Sequence, residues 1–265
     1  MTNIRTKADL AGNMADFQMT RNLNTIVGAQ DIDTVWHVLT RSLAAIGFDR
    51  IIYGCTHCRT ESSFGDPQDM LILTNHDPAY LDNYVDEGMY FHAPMIRWAQ
   101  NNTGSCSWNW ISENLHRLTT PEQRVVEFNR SKGVVAGYTL SFEYSSCRTR
   151  GAMSLTAQAG LGQRLADSIW AKVGADLELM CNVAHMKILS LPHKGRRRPL
   201  TARQREVLEW VSDGKTTQDI ATIMGLTAAT IEKHLRLARE TLDVETTTQA
   251  VMKATVQNQI FQMQA

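Results

Sequence analysis

Apolar side chains near the C-terminus recur at three- and four-residue steps, the spacing that places them on one side of a helix. Between Thr227 and Leu242 these positions are Ile231, Leu235, Ala238 and Leu242. The opposite side carries Ala229, Glu232, Lys233, Arg236 and Glu240. Thr227 precedes the pattern, and its hydroxyl can accept a free backbone N–H of the first turn. This stretch therefore predicts an amphipathic helix with one apolar and one charged face.

Three more helical stretches surround it: Ala202–Ser212, Thr216–Met224 and Thr246–Phe261. Thr201 and Gln204 have the spacing of a capping box at the first of these helices. Gly225 and Leu226 form a turn of the length that joins the two helices of a helix-turn-helix, which places its second helix in the major groove of DNA. The alternative is a helix pair whose charged face is only solvated.

The first two thirds of the chain mix helical and strand patterns. The predicted helices are Asp31–Ile46, Pro78–Gly88, His92–Gln100, Pro121–Lys132 and Gly162–Ser190. The predicted strands are Phe48–Cys55, Met70–Leu73, Cys106–Ile111, Val134–Tyr144 and Gly151–Ala157. This order predicts an α+β protein: an N-terminal α/β/α sandwich with a central antiparallel sheet, followed by a four-helix helix-turn-helix domain.

We expect three parts: a sensor domain over 1–190, a linker over 191–199 and a DNA-binding domain over 200–265. The linker contains proline, glycine and four positive charges. The whole chain is neutral, but from Leu191 onward it holds 11 Lys/Arg and 8 Asp/Glu, a net charge of +3. A basic tail on an acidic domain fits binding to DNA phosphates.

Composition narrows the class of protein further. No stretch approaches the length of a membrane span and no apolar run follows the N-terminus, so we expect a cytoplasmic protein without membrane contact. The five cysteines are an odd number, and Cys55 and Cys58 form a CxxC without a second pair at metal-ligand spacing. We therefore expect reduced thiols, with no metal site and no cofactor.

The C-terminal pattern resembles the LuxR/GerE-type DNA-binding domain. The segments that carry the resemblance are Leu200–Leu208, Gly214–Ala221, Thr230–His234 and Leu242–Val244. The resemblance implies a double-stranded DNA operator as partner, with Arg236 at the place of a base-reading arginine. Glu232 stands where some relatives have a second base-reading arginine, so the preferred operator should differ from theirs. We expect the DNA-binding residues to be Thr216, Thr227, Thr230, Lys233, His234 and Arg236.

The N-terminal half resembles the autoinducer-binding domain of LuxR-type quorum-sensing regulators. The resemblance is carried by Asn75–Tyr80, Tyr84, Pro94, Trp108 and Gly137. It implies a pocket for an N-acyl homoserine lactone with aromatic walls from Tyr80, Tyr84 and Trp108, and space left open by Gly137. Tyr53 and Ser154 or Thr156 could add hydroxyls. The competing interpretation of each aromatic residue is ordinary core packing.

The chain departs from that family at Ala93, where the resemblance implies an aspartate that accepts the ligand's amide N–H. Alanine cannot accept this bond, and a buried unpaired amide costs roughly 1–3 kcal/mol. The expected ligand-binding residues are Tyr53, Tyr80, Tyr84, Ala93, Trp108, Gly137 and Ser154. Ordinary lactones should bind weakly or not at all.

These observations favour a homodimeric, non-enzymatic transcription regulator that is independent of ligand or responds to a non-standard one. A lactone-dependent activator and an inhibitory partner that forms heterodimers with a related regulator remain alternatives. A phosphorylation-controlled response regulator would need alternating β/α units with early paired acidic residues, which the first half lacks. An enzyme with a fused DNA-binding module would need a catalytic motif, and no GxSxG, Walker-type loop or metal-spaced histidine cluster is present.

Overall fold

The computed structural model describes residues 7–57, 67–143, 149–192 and 198–261. They fall into two compact units. The first holds 7–57 with Ile72–Leu189, and the second holds 67–71 with the described residues from Ser190 onward. The pattern of hydrophobic residues did not predict that 67–71 group with the C-terminal unit. Most of the predicted linker, 193–197, lies outside the described residues.

The first unit is built on a five-stranded sheet. Its strands are β1 (Phe48–Thr56), β2 (Leu71–Thr74), β3 (Gly104–Ser107), β4 (Gly137–Ser141) and β5 (Arg150–Ala157). Their order across the sheet is β2-β1-β5-β4-β3, and the neighbours β1–β5, β5–β4 and β4–β3 pair antiparallel. In this register Ser154 of β5 lies opposite both Ile52 of β1 and Thr139 of β4.

The described residues of this part of the chain also form seven helices. They are α1 (Lys7–Gly28), α2 (Ile32–Ala44), α3 (Pro78–Leu81), α4 (Pro94–Asn101), α5 (Asn109–Glu113), α6 (Thr120–Ser131) and α7 (Gln163–Ser190). α3 continues directly into a π-helical turn, Asp82–Asp86. Residues 89–92 and 115–117 form short 3₁₀ turns.

Each face of the sheet is covered by helices, because successive strand residues point to opposite sides. On one face Tyr53 contacts His185 of α7, and Tyr138 stacks on Trp170 of the same helix with ring centroids 4.0 Å apart. The other face carries Ile52, Thr139 and Ser154 and lies under the chain between α3 and α6. The predicted α/β/α sandwich with an antiparallel sheet is confirmed.

One predicted strand is wrong over two thirds of its length. Cys106–Ile111 was expected to be extended, whereas β3 ends at Ser107 and α5 begins at Asn109. The Ser107 hydroxyl accepts the backbone N–H of Asn109 at 3.1 Å, a local bond that competes with strand pairing. The apolar residues Trp108, Trp110 and Ile111 resemble a strand in composition but belong to a turn and a helix.

The second unit contains α8 (Ala202–Ser212), α9 (Thr217–Met224), α10 (Ala228–Leu242) and α11 (Thr247–Val256). Threonines 201, 216 and 246 each close a capping box, and Thr227 caps α10 by accepting the N–H of Thr230. Gly225 adopts φ 64° to end α9, a left-handed conformation that a glycine adopts without strain. The helical faces meet in one core that includes Val207, Leu208, Ile220, Ile231, Leu235, Ala238 and Leu242.

The last helix is shorter than the predicted Thr246–Phe261. α11 ends at Val256, and Asn258 takes a left-handed φ of 49°. The following Gln259 is buried and its side-chain oxygen accepts the backbone N–H of Leu200 at 3.0 Å. The predicted helix was too long because Ile260, which lies beyond the end of α11, is also part of the apolar core.

No helix among the described residues is long and apolar enough to cross a membrane.

Candidate ligand cavity and nucleic-acid interface

A cavity of about 110 Å³ lies between the sheet and the segment that runs from α3 to α6. Of the residues predicted to bind a ligand, five line it: Tyr80, Tyr84, Ala93, Trp108 and Ser154. Other lining residues include Ile52, His76, Ile111, Asn129 and Thr156. The cavity is smaller than the roughly 150 Å³ engineered cavity that binds benzene, and well below the volume of a drug-sized site.

One wall of the cavity is a stack of aromatic rings. Tyr80 lies between its neighbours, with its ring centroid 4.6 Å from that of His76, 5.0 Å from Tyr84 and 5.5 Å from Phe128. The Tyr80 hydroxyl donates to Asn129 Oδ1 at 3.0 Å. Burial raises the pKa of Tyr80 and that of Tyr84, so both phenols stay neutral.

The sheet side of the cavity carries a chain of hydrogen bonds. Trp108 Nε1 donates to Thr139 Oγ1 at 2.8 Å, and Thr139 Oγ1 lies 3.1 Å from Ser154 Oγ. The indole donor of Trp108 is therefore already used by the protein. What remains of Trp108 for a ligand is its apolar ring.

Two buried polar atoms at the cavity have no hydrogen-bond partner among the described residues: His76 Nε2 and Thr156 Oγ1. Burial, and then the charge of Arg50, lower the pKa of His76 to about 4, so its ring is neutral at physiological pH. A buried polar atom without a partner is costly, and a ligand that bonds to it removes the cost. His76 was not among the predicted site residues. His76 precedes Asp77, the N-cap of α3, so helical spacing does not place it beside Tyr80, and its nearness to Tyr80 along the chain is the signal that the sequence offers.

Ala93 lines the cavity directly and is also the N-cap of α4, followed by Pro94 at the first helical position. It forms no side-chain capping hydrogen bond. Its position thus offers neither an acceptor for a ligand nor a cap for the helix. An aspartate at the same position could do both.

Two predicted ligand residues are placed elsewhere. Tyr53 follows Ile52 on β1 and so points to the opposite sheet face, where its hydroxyl lies 2.8 Å from His185 Nδ1. Gly137 does not line the cavity. A Cβ there would collide with the backbone carbonyl of Leu155 on β5. The glycine is explained by close strand packing rather than by open space for a ligand.

The predicted DNA-contacting residues gather on α9 and α10. Lys233 and Arg236 are exposed on the side of α10 that faces away from the core, and Arg236 pairs with Glu240 at 2.5 Å. Thr216 and Thr227 have a structural role as N-caps. Thr230 lies 2.9 Å from Thr227 through their hydroxyls, and His234 is half-buried.

The cysteines form no site among the residues that the structure describes. Cys55 and Cys181 are buried free thiols and Cys106 is half-buried. Cys58 and Cys147 lie outside the described residues. Within the described ranges, no group of three or more His, Cys, Asp or Glu side chains is arranged to hold a metal ion.

Comparison with known proteins identifies both parts of the chain. Residues 31–188 match the family described as Autoinducer binding domain, and residues 198–254 match that described as Bacterial regulatory proteins, luxR family. The quorum sensing-dependent transcriptional regulator RpaR of Rhodopseudomonas palustris is 35% identical over 193 residues, which cover 69% of this chain and 73% of RpaR.

Two solved structures share the fold. Escherichia coli SdiA aligns with a TM-score of 0.54 at 20% identity, covering 94% of this chain and 100% of SdiA, and SdiA has also been solved in complex with octanoyl-rac-glycerol. The N-acylhomoserine lactone dependent factor CepR2 of Burkholderia cenocepacia aligns with a TM-score of 0.53 at 16% identity, covering 67% of this chain and 97% of CepR2.

Proposed function

This chain belongs to the LuxR family of bacterial regulatory proteins, with an autoinducer-binding domain ahead of its helix-turn-helix domain, and we propose that it regulates transcription without responding to standard N-acyl homoserine lactones. It binds its operator as a homodimer and catalyses no reaction. The observation that carries the proposal is Ala93, which presents no acceptor to the cavity.

An N-acyl homoserine lactone brings an amide N–H that must keep a hydrogen bond when it is buried. Leaving it unpaired costs about 1–3 kcal/mol, which weakens binding by about 5- to 150-fold. Trp108 does not compensate, because an indole only donates and its N–H is already bonded to Thr139. The acceptors that the cavity does offer, such as the Tyr80 and Thr156 hydroxyl oxygens, are neutral and form weaker hydrogen bonds than a carboxylate.

The chemistry of the cavity favours a compact, uncharged ligand. Its walls are aromatic rings, and its unpaired groups are a neutral imidazole and a hydroxyl, at His76 and Thr156. A ring or short chain with one hydroxyl or carbonyl group suits this arrangement.

The test is to express the full-length protein without lactone and measure soluble yield, melting temperature and operator binding. A panel of short- and long-chain acyl lactones is then added to the wild type and to Ala93→Asp. We expect the wild type to fold and bind DNA unaided and to show little change in melting temperature, while Ala93→Asp gains a lactone response. A large stabilisation of the wild type by a sub-micromolar lactone would overturn the proposal.

The proposed dimer uses the outer face of α7. Leu165, Leu179 and Met186 are 49%, 51% and 63% exposed and, with Lys172, repeat every seven residues along this helix. A spacing of seven residues keeps these side chains on one side of the helix, so their apolar surface can be buried against another helix. The occupant we propose for this stripe is the same helix of a second copy, which would present two recognition helices to paired half-sites.

A further inference from the structure

Glu232 is an exposed carboxylate on the charged face of the recognition helix α10, where it is the fifth residue. Its Oε1 accepts a hydrogen bond from the hydroxyl of Thr217, the first residue of α9, at 2.9 Å. A carboxylate on a surface that meets DNA is repelled by the phosphates. An acidic side chain at this place would be favourable if it met a hydrogen-bond donor on the DNA, to which a lysine or arginine could not bond.

The cation one helical turn after Glu232 does not form an ion pair with it. Arg236 stands four residues later, where a helix favours pairing with a preceding glutamate, but its guanidinium pairs with Glu240. Among the described residues, Thr217 is the hydrogen-bonding partner of the Glu232 side chain. A carboxylate has about four lone-pair sites, so the Thr217 bond fixes its direction and leaves acceptor capacity free.

An acceptor in the major groove requires a donor on a base edge. Cytosine presents its N4 amino group there, while adenine presents its N6 amino group beside N7, an acceptor that repels a carboxylate. We propose that Glu232, positioned by Thr217, reads the amino group of one cytosine in each operator half-site. This inference rests on the operator binding proposed above and adds the base that is read.

The proposal gives Glu232 two effects of opposite sign. At a cognate cytosine it adds a hydrogen bond, and on any other sequence it adds repulsion from phosphates and base acceptors. Removing the carboxylate should therefore lower the preference for cytosine and at the same time raise affinity for non-cognate DNA. A residue that only supports the fold would not shift these two quantities in opposite directions.

Four variants of the full-length protein separate these roles. Glu232→Ala removes the carboxylate, and Glu232→Gln replaces it with an amide that pairs with adenine. Thr217→Val removes the positioning hydroxyl and keeps a branched side chain. Thr222→Val is the matched control, because this exposed threonine of α9 donates to the carbonyl of Gln218 in its own helix.

Each protein is used to select binding sites from a pool of random double-stranded DNA, and its melting temperature is recorded. We expect the wild type and Thr222→Val to select cytosine at one position of each half-site. Glu232→Ala should lose about 5- to 150-fold of that preference, Glu232→Gln should change it to adenine, and Thr217→Val should broaden it in part, all with unchanged melting temperatures.

Identical selected sequences from the wild type and Glu232→Ala would overturn the assignment of Glu232, and identical sequences from the wild type and Thr217→Val would overturn the positioning role. Failure of the wild type to enrich any sequence would overturn operator binding itself, and this inference with it.

Discussion

Gly137 and Tyr53 show how a single residue can match a functional pattern for a structural reason. Both were predicted to bind a ligand, and neither lines the cavity. Tyr53 is one residue out of phase with the cavity face of β1, and only the register with β5 reveals this. His76, which does line the cavity, precedes the helix α3 and carries no signal beyond its spacing from Tyr80.

We predict that Gly137→Ala destabilises the protein by about 1–3 kcal/mol or prevents soluble expression, because the added methyl group would meet the backbone of β5 rather than a movable side chain. Gly54→Ala is the control, since no atom lies within 4 Å of the methyl group it would add to β1. Chemical denaturation of both variants measures the difference. Equal stability of the two variants would contradict the close strand contact.

Two buried histidines predict loss of stability in acid. Burial, and then the charge of His57, lower the pKa of His185 to about 3, and the pKa of His76 is about 4. Both values lie below the ordinary 6.5, so the unfolded chain binds protons that the folded chain does not. Stability is then complete above about pH 6.5 and falls as the pH drops toward 4, by up to about 1.4 kcal/mol per pH unit for each histidine.

The double variant Tyr53→Phe/His185→Phe tests the contribution of His185. It removes both partners of the 2.8 Å contact and keeps aromatic rings against Phe142. Unfolding free energies between pH 7 and pH 4.5 should depend less steeply on pH than in the wild type. An unchanged slope would show that other groups account for the acid sensitivity.

At the scale of elements, amphipathic helices with capping residues were the most predictable. The caps at Thr201, Thr216 and Thr227 are local hydrogen bonds within four residues, so neighbouring sequence suffices to determine them. The end of α11 depends on contacts with distant residues, such as the bond from Leu200 to Gln259. The cavity is of this second kind, since its walls come from segments more than fifty residues apart.

The recognition helix α10 carries a prediction about its ion pair. Arg236→Ala should cost about 1–3 kcal/mol of operator binding and relax one base position. Glu240→Gln frees the guanidinium and should tighten binding to all DNA sequences, since it removes a negative charge beside the phosphates. Neither change should alter folding much, because an exposed i,i+4 pair contributes about 0.3–0.5 kcal/mol. Binding titrations of both variants on cognate and scrambled DNA measure these changes in affinity. If Arg236→Ala lost the same affinity on both DNAs, Arg236 would contact a phosphate rather than a base.

For the whole molecule, the proposed homodimer depends on apolar side chains of α7 that are exposed in the monomer. A single helix-turn-helix reads few base pairs, and two copies joined through α7 would read a pair of half-sites. The formal charge of the chain is zero, so in the proposed dimer we expect the paired half-sites to add affinity to the attraction between phosphates and the basic C-terminal part.

We predict that Leu179→Lys converts the dimer to a monomer and weakens operator binding severely, because it places a charge in the centre of the apolar stripe. Glu127→Lys is the control, since it changes an exposed charge on α6 rather than on α7. Light scattering at micromolar concentration gives the masses. A monomeric wild type, with and without DNA, would refute the proposed interface.

The cavity beside Tyr80 also has a mechanical consequence. Cavity volume that neither side chains nor water fill disappears when the chain unfolds, so hydrostatic pressure should favour the unfolded state. A molecule that fills the cavity would remove that volume and make the protein less compressible. Pressure unfolding would therefore report occupancy of the cavity without any knowledge of what occupies it.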